Sequence, residues 1–229
     1  MSNPWEFGWT QVLTIIGFVI TILIALGGFQ SFGRWQRQKF AEKRIDTAVD
    51  ALVLIREMRW VFDNIRSSGS FDYEWKDMPE IDGEEEHRRR SRGAFYSVLK
   101  RIERHRDFFD RAWKLQVRCG ALFGQKAEDA LLLIQKARRE VEVSAGMLVR
   151  DPWPEFKTED NKRTWEKFRS DAWAGYGAGM GVRDTVAEKL EECSQAVEAI
   201  CRPAVERQFG IDTLATIGRA TEIMRWFGL

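Results

Sequence analysis

Val12–Phe29 reads VLTIIGFVITILIALGGF and lies within a run from Phe7 to Gly33 that carries no charged side chain. A helix needs roughly 20 apolar residues to cross about 30 Å of hydrocarbon, and this run exceeds that length. A soluble helix that is apolar on every side needs a large protein around it. Here the rest of the chain has the composition of an ordinary domain of modest hydrophobicity, with 31% charged residues overall. The run therefore predicts a transmembrane helix over 9–33, with Trp9, Val12, Ile16, Val19, Leu23, Leu26, Phe29 and Trp35 as its anchoring side chains. At 1.5 Å per residue Trp9 and Trp35 stand roughly 39 Å apart, the spacing of the two bilayer edges where indole rings collect. Ala25-Leu26-Gly27 would serve as a signal-peptide cleavage site, but MSNPWEFGW before the run has no Lys or Arg and the apolar region is too long.

Charge sets the orientation. Before the span the only charges are Glu6 and the amino terminus, whereas Arg34, Arg37, Lys39, Lys43 and Arg44 follow it against a single Glu42. Excess Lys and Arg mark the cytoplasmic side, so residues 1–8 are expected outside and 34–229 inside, at an inner (plasma) membrane. The same basic residues could touch anionic headgroups, at about 1 kcal/mol each. Gly17, Thr21, Ala25 and Gly28 share one face of the span and would permit close helix packing in a homo-oligomer.

The remaining residues suit a single cytosolic domain. With 36 basic against 35 acidic residues, nothing marks a nucleic-acid-binding face. Cys119, Cys193 and Cys201 form no CxxC pair, and Cys193 and Cys201 on one helix would lie about 12 Å apart, too far for a disulfide. Reduced, buried thiols fit the cytosol. Pro is scarce and apolar residues recur at three- and four-residue steps, so the fold class is all-α: one transmembrane helix continuing into a helical bundle.

Taken in order, Ala48, Leu52, Ile55, Arg59, Phe62 and Ile65 make the first stripe after the anchor, apolar but interrupted once at Arg59, and Arg56, Arg59, Asp63 and Arg66 read as a solvated face. Residues 66–83 form a loop by their Ser, Gly, Asp and Pro content, with Phe71, Tyr73 and Trp75 expected to tuck onto the bundle, a docking site being the alternative. A helix starts near Gly83, supported by pairs such as Glu84 to Arg88 and Glu86 to Arg90. A stripe through Phe95, Leu99, Ile102, Phe109, Ala112 and Leu122 carries the helical pattern to Phe123. Gly120 is a weak point or close-contact site, and Gly124 is the C-cap. Ala127 to Val149 is the next helix, with Leu131, Ile134, Val141, Ala145 and Leu148 inward. Asp151-Pro152 ends it in a loop over 151–157. Thr158 starts a helix through Trp165 and Phe168 to about Trp173, a glycine-rich loop covers 174–183, and Asp184 to Arg202 is helical until Pro203 ends or bends it. A final helix is expected over Ile211–Phe227, against the bundle or the inner leaflet.

Few residues suggest chemistry. In Glu84-Glu85-Glu86-His87-Arg88-Arg89-Arg90-Ser91-Arg92 the simplest reading is a paired, solvated helix start. The functional alternative makes Arg88, Arg89, Arg90 and Arg92 contacts for a phosphorylated ligand or nucleotide. Glu84 and His87 match Glu-x-x-His, but a di-metal site needs a second such pair, and Ile102 stands three residues before the only other histidine, His105. Gly175 to Gly181 alternates its glycines with no strand before it, unlike a phosphate cradle. No catalytic residue, metal ligand or cofactor is assigned.

Asn64-Ile65-Arg66-Ser67 and Glu198-Ala199-Ile200-Cys201-Arg202-Pro203 resemble an IRS-type turn and an EAICRP-like helix end found in a group of uncharacterised bacterial single-pass membrane proteins. That resemblance implies a bacterial inner membrane and brings no activity with it. The expected function is a membrane-anchored, non-enzymatic helical module that binds a protein partner, or itself, at the cytoplasmic face. The alternative is a sensor that takes a nucleotide or phosphorylated ligand through Arg88–Arg92.

Overall fold

Long stretches free of proline and rich in Ala, Leu, Glu, Lys and Arg lose little side-chain freedom in a helix, and every long element among the described residues is helical. The computed structural model describes residues 8–153, 158–176, 178 and 181–206, without the side chains of 9, 10, 27 and 29–31. Its helices are α1 (Trp9–Ile65), α2 (Glu86–Arg104), α3 (Arg106–Phe123), α4 (Gln125–Arg150), α5 (Glu159–Ala172) and α6 (Thr185–Glu206), with one 3-10 turn at Asp72–Glu74. Among the described residues there is no strand, as the all-α expectation required. The expected helix over 211–227 lies outside the described residues. The chain divides into two units, Met1–Arg44 and Ile45–Leu229.

In the first unit the side chains of α1 are uncovered. Leu13, Phe18, Leu23, Ile24 and Leu26 are each more than half exposed, on all sides of the helix. Thr21 donates its hydroxyl back to the carbonyl of Gly17 (2.8 Å), so its polar group is satisfied within the helix. Among the described residues no helix is long and apolar enough to cross a membrane. The expected span 9–33 thus finds no support there: the longest stretch of it with described side chains, 11–26, covers only about 24 Å.

In the second unit α4 is the central helix, packed by α2, α3, α5 and α6. Ala127, Leu131, Ile134, Val141, Ala145 and Leu148 are all buried as the stripe predicts, and Ala130 and Ala137 join them. Alanines let the neighbouring helices approach closely, while Leu131, Ile134 and Leu148 fill the spaces between. From α1 the core takes Ala48, Ala51, Ile55, Met58, Phe62 and Ile65, and Phe62 meets Phe109 of α3 edge to face at 5.9 Å. Arg59 interrupts this stripe on the solvated face expected of it, whereas Arg66, expected on the same face, is buried among hydrogen-bond partners. Met58 occupies the core, and Arg59 points outward to Glu191 of α6 at 2.9 Å, because a full guanidinium is too costly to bury unpaired.

Helix ends follow their local chemistry. Thr158 caps α5 by accepting from the amide of Asn161 (3.3 Å). Gly124 has φ +88°, a conformation that favours glycine, and its amide donates to Gly120 as α3 gives way to α4. Gly120 is a close-contact site: a Cβ there would stand 2.5 Å from Glu128 Oε2.

Three boundaries differ from expectation. The stripe from Phe95 to Phe123 is two helices that meet at His105, whose amide closes α2 on Arg101 and whose carbonyl opens α3 to Phe108 and Phe109. No Gly or Pro announces this break. His105 is pinned instead by Asn64 of α1, with Nε2 2.9 Å from Oδ1, and by the edge of Trp60. Helix α2 begins at Glu86, so the expected Glu84 to Arg88 pair does not form. Glu84 meets Arg92 (3.2 Å) and Arg88 lies 3.7 Å from Asp151, whereas Glu86 to Arg90 forms at 2.9 Å. Of the two outcomes expected at Pro203, an end or a bend, the end is not found there, since α6 continues to Glu206.

Candidate interaction site

Of the expected anchor residues, Ile16, Val19, Leu23, Leu26 and Trp35 are exposed and Val12 is half-buried. The side chains of Trp9 and Phe29 lie outside the described residues. Arg34, Arg37, Lys39, Lys43 and Arg44 are all exposed, Lys39 pairing with Glu42 at 2.7 Å.

The arginines of α2 are individually partnered. Besides Arg88 with Asp151 and Arg90 with Glu86, Arg89 reaches Glu80 at 2.8 Å. Arg92 is buried, and its Nη2 donates to the carbonyl of Pro79 (2.6 Å). The guanidinium stays close to Glu84, yet its Nε and Nη1 lack hydrogen-bonding geometry to any group among the described residues. Arg88 and Arg92 face a cleft of about 520 Å³ that Arg150, at the end of α4, also lines. Asp82, Glu84, Glu85 and Asp151 line it too, so carboxylates match the cations.

A residue outside the expected set organises the surface beside this cleft. Arg101 sits on α2 one position from Ile102, on the buried flank, and is 4% exposed. Its Nε and Nη2 grip the carboxylate of Glu74, while Nη1 donates to the carbonyl of Ser67 (2.8 Å) and Nη2 to that of Gly69. One guanidinium thus ties the first half of the loop after α1, from Ser67 to Glu74, to α2. Such a bidentate, charge-assisted pair is strong in geometry, and Arg101 holds the Glu74 carboxyl below the usual carboxylate range. Trp75 is fixed on the other side by Gly93, where a Cβ would come within 2.5 Å of the indole.

Phe71 and Tyr73 do not tuck in as the sequence suggested. Each is 63% exposed, and their rings stack on one another at 5.6 Å with planes 10° apart. The buried Arg101–Glu74 pair fixes the loop backbone directly beneath them, so only Trp75 of the three aromatics reaches the bundle. A sequence reader sees an aromatic-rich loop, but which rings face inward depends on a clamp 27 residues away.

A second buried network joins the end of α1 to α4, α5 and α6. Arg66, 3% exposed, donates to the carbonyls of Asp171 (2.9 Å) and Ser170 (2.6 Å) and to the carboxylate of Asp184. Asp171 is fully buried and accepts from Ser144 (2.9 Å) and Lys167 (2.8 Å). Glu140 receives Lys189 (2.6 Å) and Lys167 (3.2 Å). Burial pushes the Glu140 carboxyl up, but the hydrogen bonds from Lys189 and Lys167 outweigh it and hold the group below its ordinary value. Each carboxylate here pairs with at least one cation, so the network fastens the helices to one another. Burial pushes the thiols of Cys119 and Cys193 up to about 12 and that of Cys201 to about 11, far from nucleophilic thiolates. Burial, with Arg104 beside it, also lowers His105. Among the described residues no group of three or more His, Cys, Asp or Glu could hold a metal ion.

Compared with known protein families, curated proteins and solved structures, the chain matches none.

Proposed function

We propose that this chain is a membrane-anchored, non-enzymatic helical module that engages a protein partner at the cytoplasmic face of an inner membrane. One observation carries the reading: the uncharged side chains of α1 between Leu13 and Leu26 are exposed on every side. Apolar surface of that extent is stable in water only when something covers it, and hydrocarbon covers a helix evenly all round. The basic residues Arg34 to Arg44 support a cytoplasmic placement for residues 45–229. The buried carboxylates of Glu74 and Asp171 and the half-buried one of Glu140 are each paired with cations and the thiols are pushed far from reactivity, which favours an interaction role over catalysis.

Alkaline-carbonate extraction tests the anchor. The full chain is expected to stay in the membrane pellet, and a chain beginning at Arg34 in the supernatant. Release of the full chain would refute the anchor. Protease added to intact spheroplasts should remove a tag placed before Met1 and spare one placed after Leu229. Light scattering of the detergent-purified protein tests self-association through Gly17, Thr21, Ala25 and Gly28.

A second reading, a sensor of phosphorylated ligands or nucleotides, draws on the cleft shared by Arg88, Arg92 and Arg150. Four carboxylates on the same cleft oppose it. Thermal-shift screening decides: equal stabilisation of the native chain and of one with Arg88, Arg92 and Arg150 changed to Ala would sink it.

A further inference from the structure

Helix α1 packs into the bundle through Ala48, Ala51, Leu54 and Ile55, yet its outer side also carries apolar residues. Val49, Leu52 and Val53 of α1 and Val205 of α6 line a groove of about 470 Å³ between the two helices. Val49 is 41% and Val53 60% exposed. Trp60, seven positions beyond Val53 and so on the same side of α1, is exposed as well. A helix with apolar residues aligned on its outer side asks for a cover.

The chain itself supplies one. The groove runs from Val49 and Val205 at one end to Arg56 and Glu198, paired at 3.1 Å, at the other. Helix α6 reaches Glu206 on the wall of the groove at the Val49 end. Residues 207–229 follow in sequence and lie outside the described residues. Within 211–227 the apolar residues Ile211, Leu214, Ile217, Met224 and Phe227 recur at three- and seven-residue steps, a stripe of helical period. From Glu206 to Ile211 the chain can reach up to about 18 Å, and packed helices stand about 8–10 Å apart, so 207–210 is long enough to turn back along the groove. As a helix, 211–227 extends about 24 Å, enough to follow α1 from Val49 past Trp60, about 17 Å away.

Charge and tethering select this occupant over the other two. An amphipathic helix on an anionic leaflet draws on an excess of Lys and Arg, whereas in 211–227 Arg219 and Arg225 are balanced by Asp212 and Glu222. On the groove Arg56 and Arg202 are likewise balanced by Glu198 and Glu206, so neither side repels the other. A segment joined to its groove by a short linker meets it at a roughly millimolar effective concentration, ahead of a second copy of the chain.

We propose that residues 211–227 form an amphipathic helix seated in the α1–α6 groove, parallel to α1, with the apolar stripe over Val49, Leu52 and Val53. The flank formed by α1 and α6 is then a contact of the chain with itself, which removes it from the surfaces open to a partner. This placement is independent of the anchor, which carbonate extraction reads separately.

The test uses the full chain in nanodiscs containing 30% anionic lipid, assembled from equal amounts of 15N-labelled native chain and of unlabelled chain carrying photoreactive benzoylphenylalanine in place of Val53. After irradiation and proteolysis, mass spectrometry is expected to find position 53 joined to unlabelled peptides of 211–227. The probe in place of Ile81, exposed on the loop before α2, should not reach them. Cross-links from position 53 to lipid or to 15N-labelled chain, or the absence of any to 211–227, overturn the proposal, as do equal yields from position 81. Hydrogen exchange of the native chain gives a second readout. Amides of 214–227 are expected to exchange at least tenfold more slowly than unstructured peptide, and Val53→Asp should cost them at least tenfold of that protection while α4 keeps its rates. No protection in the native chain, or protection unchanged by Val53→Asp, also overturns it. If Val53→Asp loosens α4 as well, the cross-link from position 53 decides.

Discussion

Arg101 shows how one side chain can fix a surface that sequence patterning leaves open. Removing one partner of a buried ion pair strands the other, at a cost of about 3–5 kcal/mol. Arg101→Met should therefore lower stability by about that amount in chemical denaturation. Glu74→Gln, which keeps an acceptor for the guanidinium, should cost less. The carboxyls of Glu74 and Glu140 lie below their ordinary values in the folded protein. Their contribution is complete above the unfolded carboxylate pKa of about 4.3. It is lost as pH falls through the lower folded values. Unfolding midpoints measured from pH 6 to pH 3 should drop towards the acid end, and the drop should be shallower in a Glu74→Gln, Glu140→Gln chain. Arg66 and Arg101 look like any other basic residue in the sequence, because the groups they meet are distant: Asp184 lies 118 positions from Arg66. What local signal there was lay in register, since Arg101 falls beside Ile102 on the inward flank of α2.

Helices were legible where propensity, stripe and cap agreed. Thr158, Gly124 and the Asp151-Pro152 step marked ends that the structure repeats, because caps act through the nearest few backbone groups. The break at His105 was not legible, since Asn64 and Trp60 enforce it from another helix. The solvated face read over Arg56, Arg59, Asp63 and Arg66 erred at Arg66, which is buried because Asp184 and the carbonyls of Ser170 and Asp171 receive its guanidinium. Two glycines within helices separate packing from propensity. Gly to Ala in a helix interior gains about 0.5–1 kcal/mol in propensity. At Gly93 the added methyl would meet the rigid indole of Trp75, whereas at Gly120 it meets the flexible carboxylate of Glu128. Gly93→Ala should destabilise by about 1–3 kcal/mol, the usual cost of overpacking, and Gly120→Ala should be close to neutral. Thermal unfolding of the two variants, with Trp75 fluorescence reporting displacement of the loop, checks the contrast.

The two units, Met1–Arg44 and Ile45–Leu229, set a prediction about the whole chain. Among the described residues the apolar core of the bundle draws on Ala48 to Ile65 of α1, with Thr47 buried beside it. A chain beginning at Arg34 should then keep the helical signal and unfolding midpoint of the bundle in circular dichroism. A cut beginning at Ser67 should abolish cooperative unfolding, because it removes Phe62, Ile65 and Arg66 from their contacts. The uncharged run 7–33, the basic flank after it and the all-helical character of the remainder were determined by sequence alone. Hydropathy, charge and helical periodicity are properties of neighbouring residues, and no fold is needed to read them. The break at His105, the burial of Arg66, and the clamp that turns Phe71 and Tyr73 to solvent while Trp75 goes in were decided only by tertiary structure. Each depends on groups far apart in the chain whose burial is tolerated only in the company of specific partners, and that company exists only once the helices have packed.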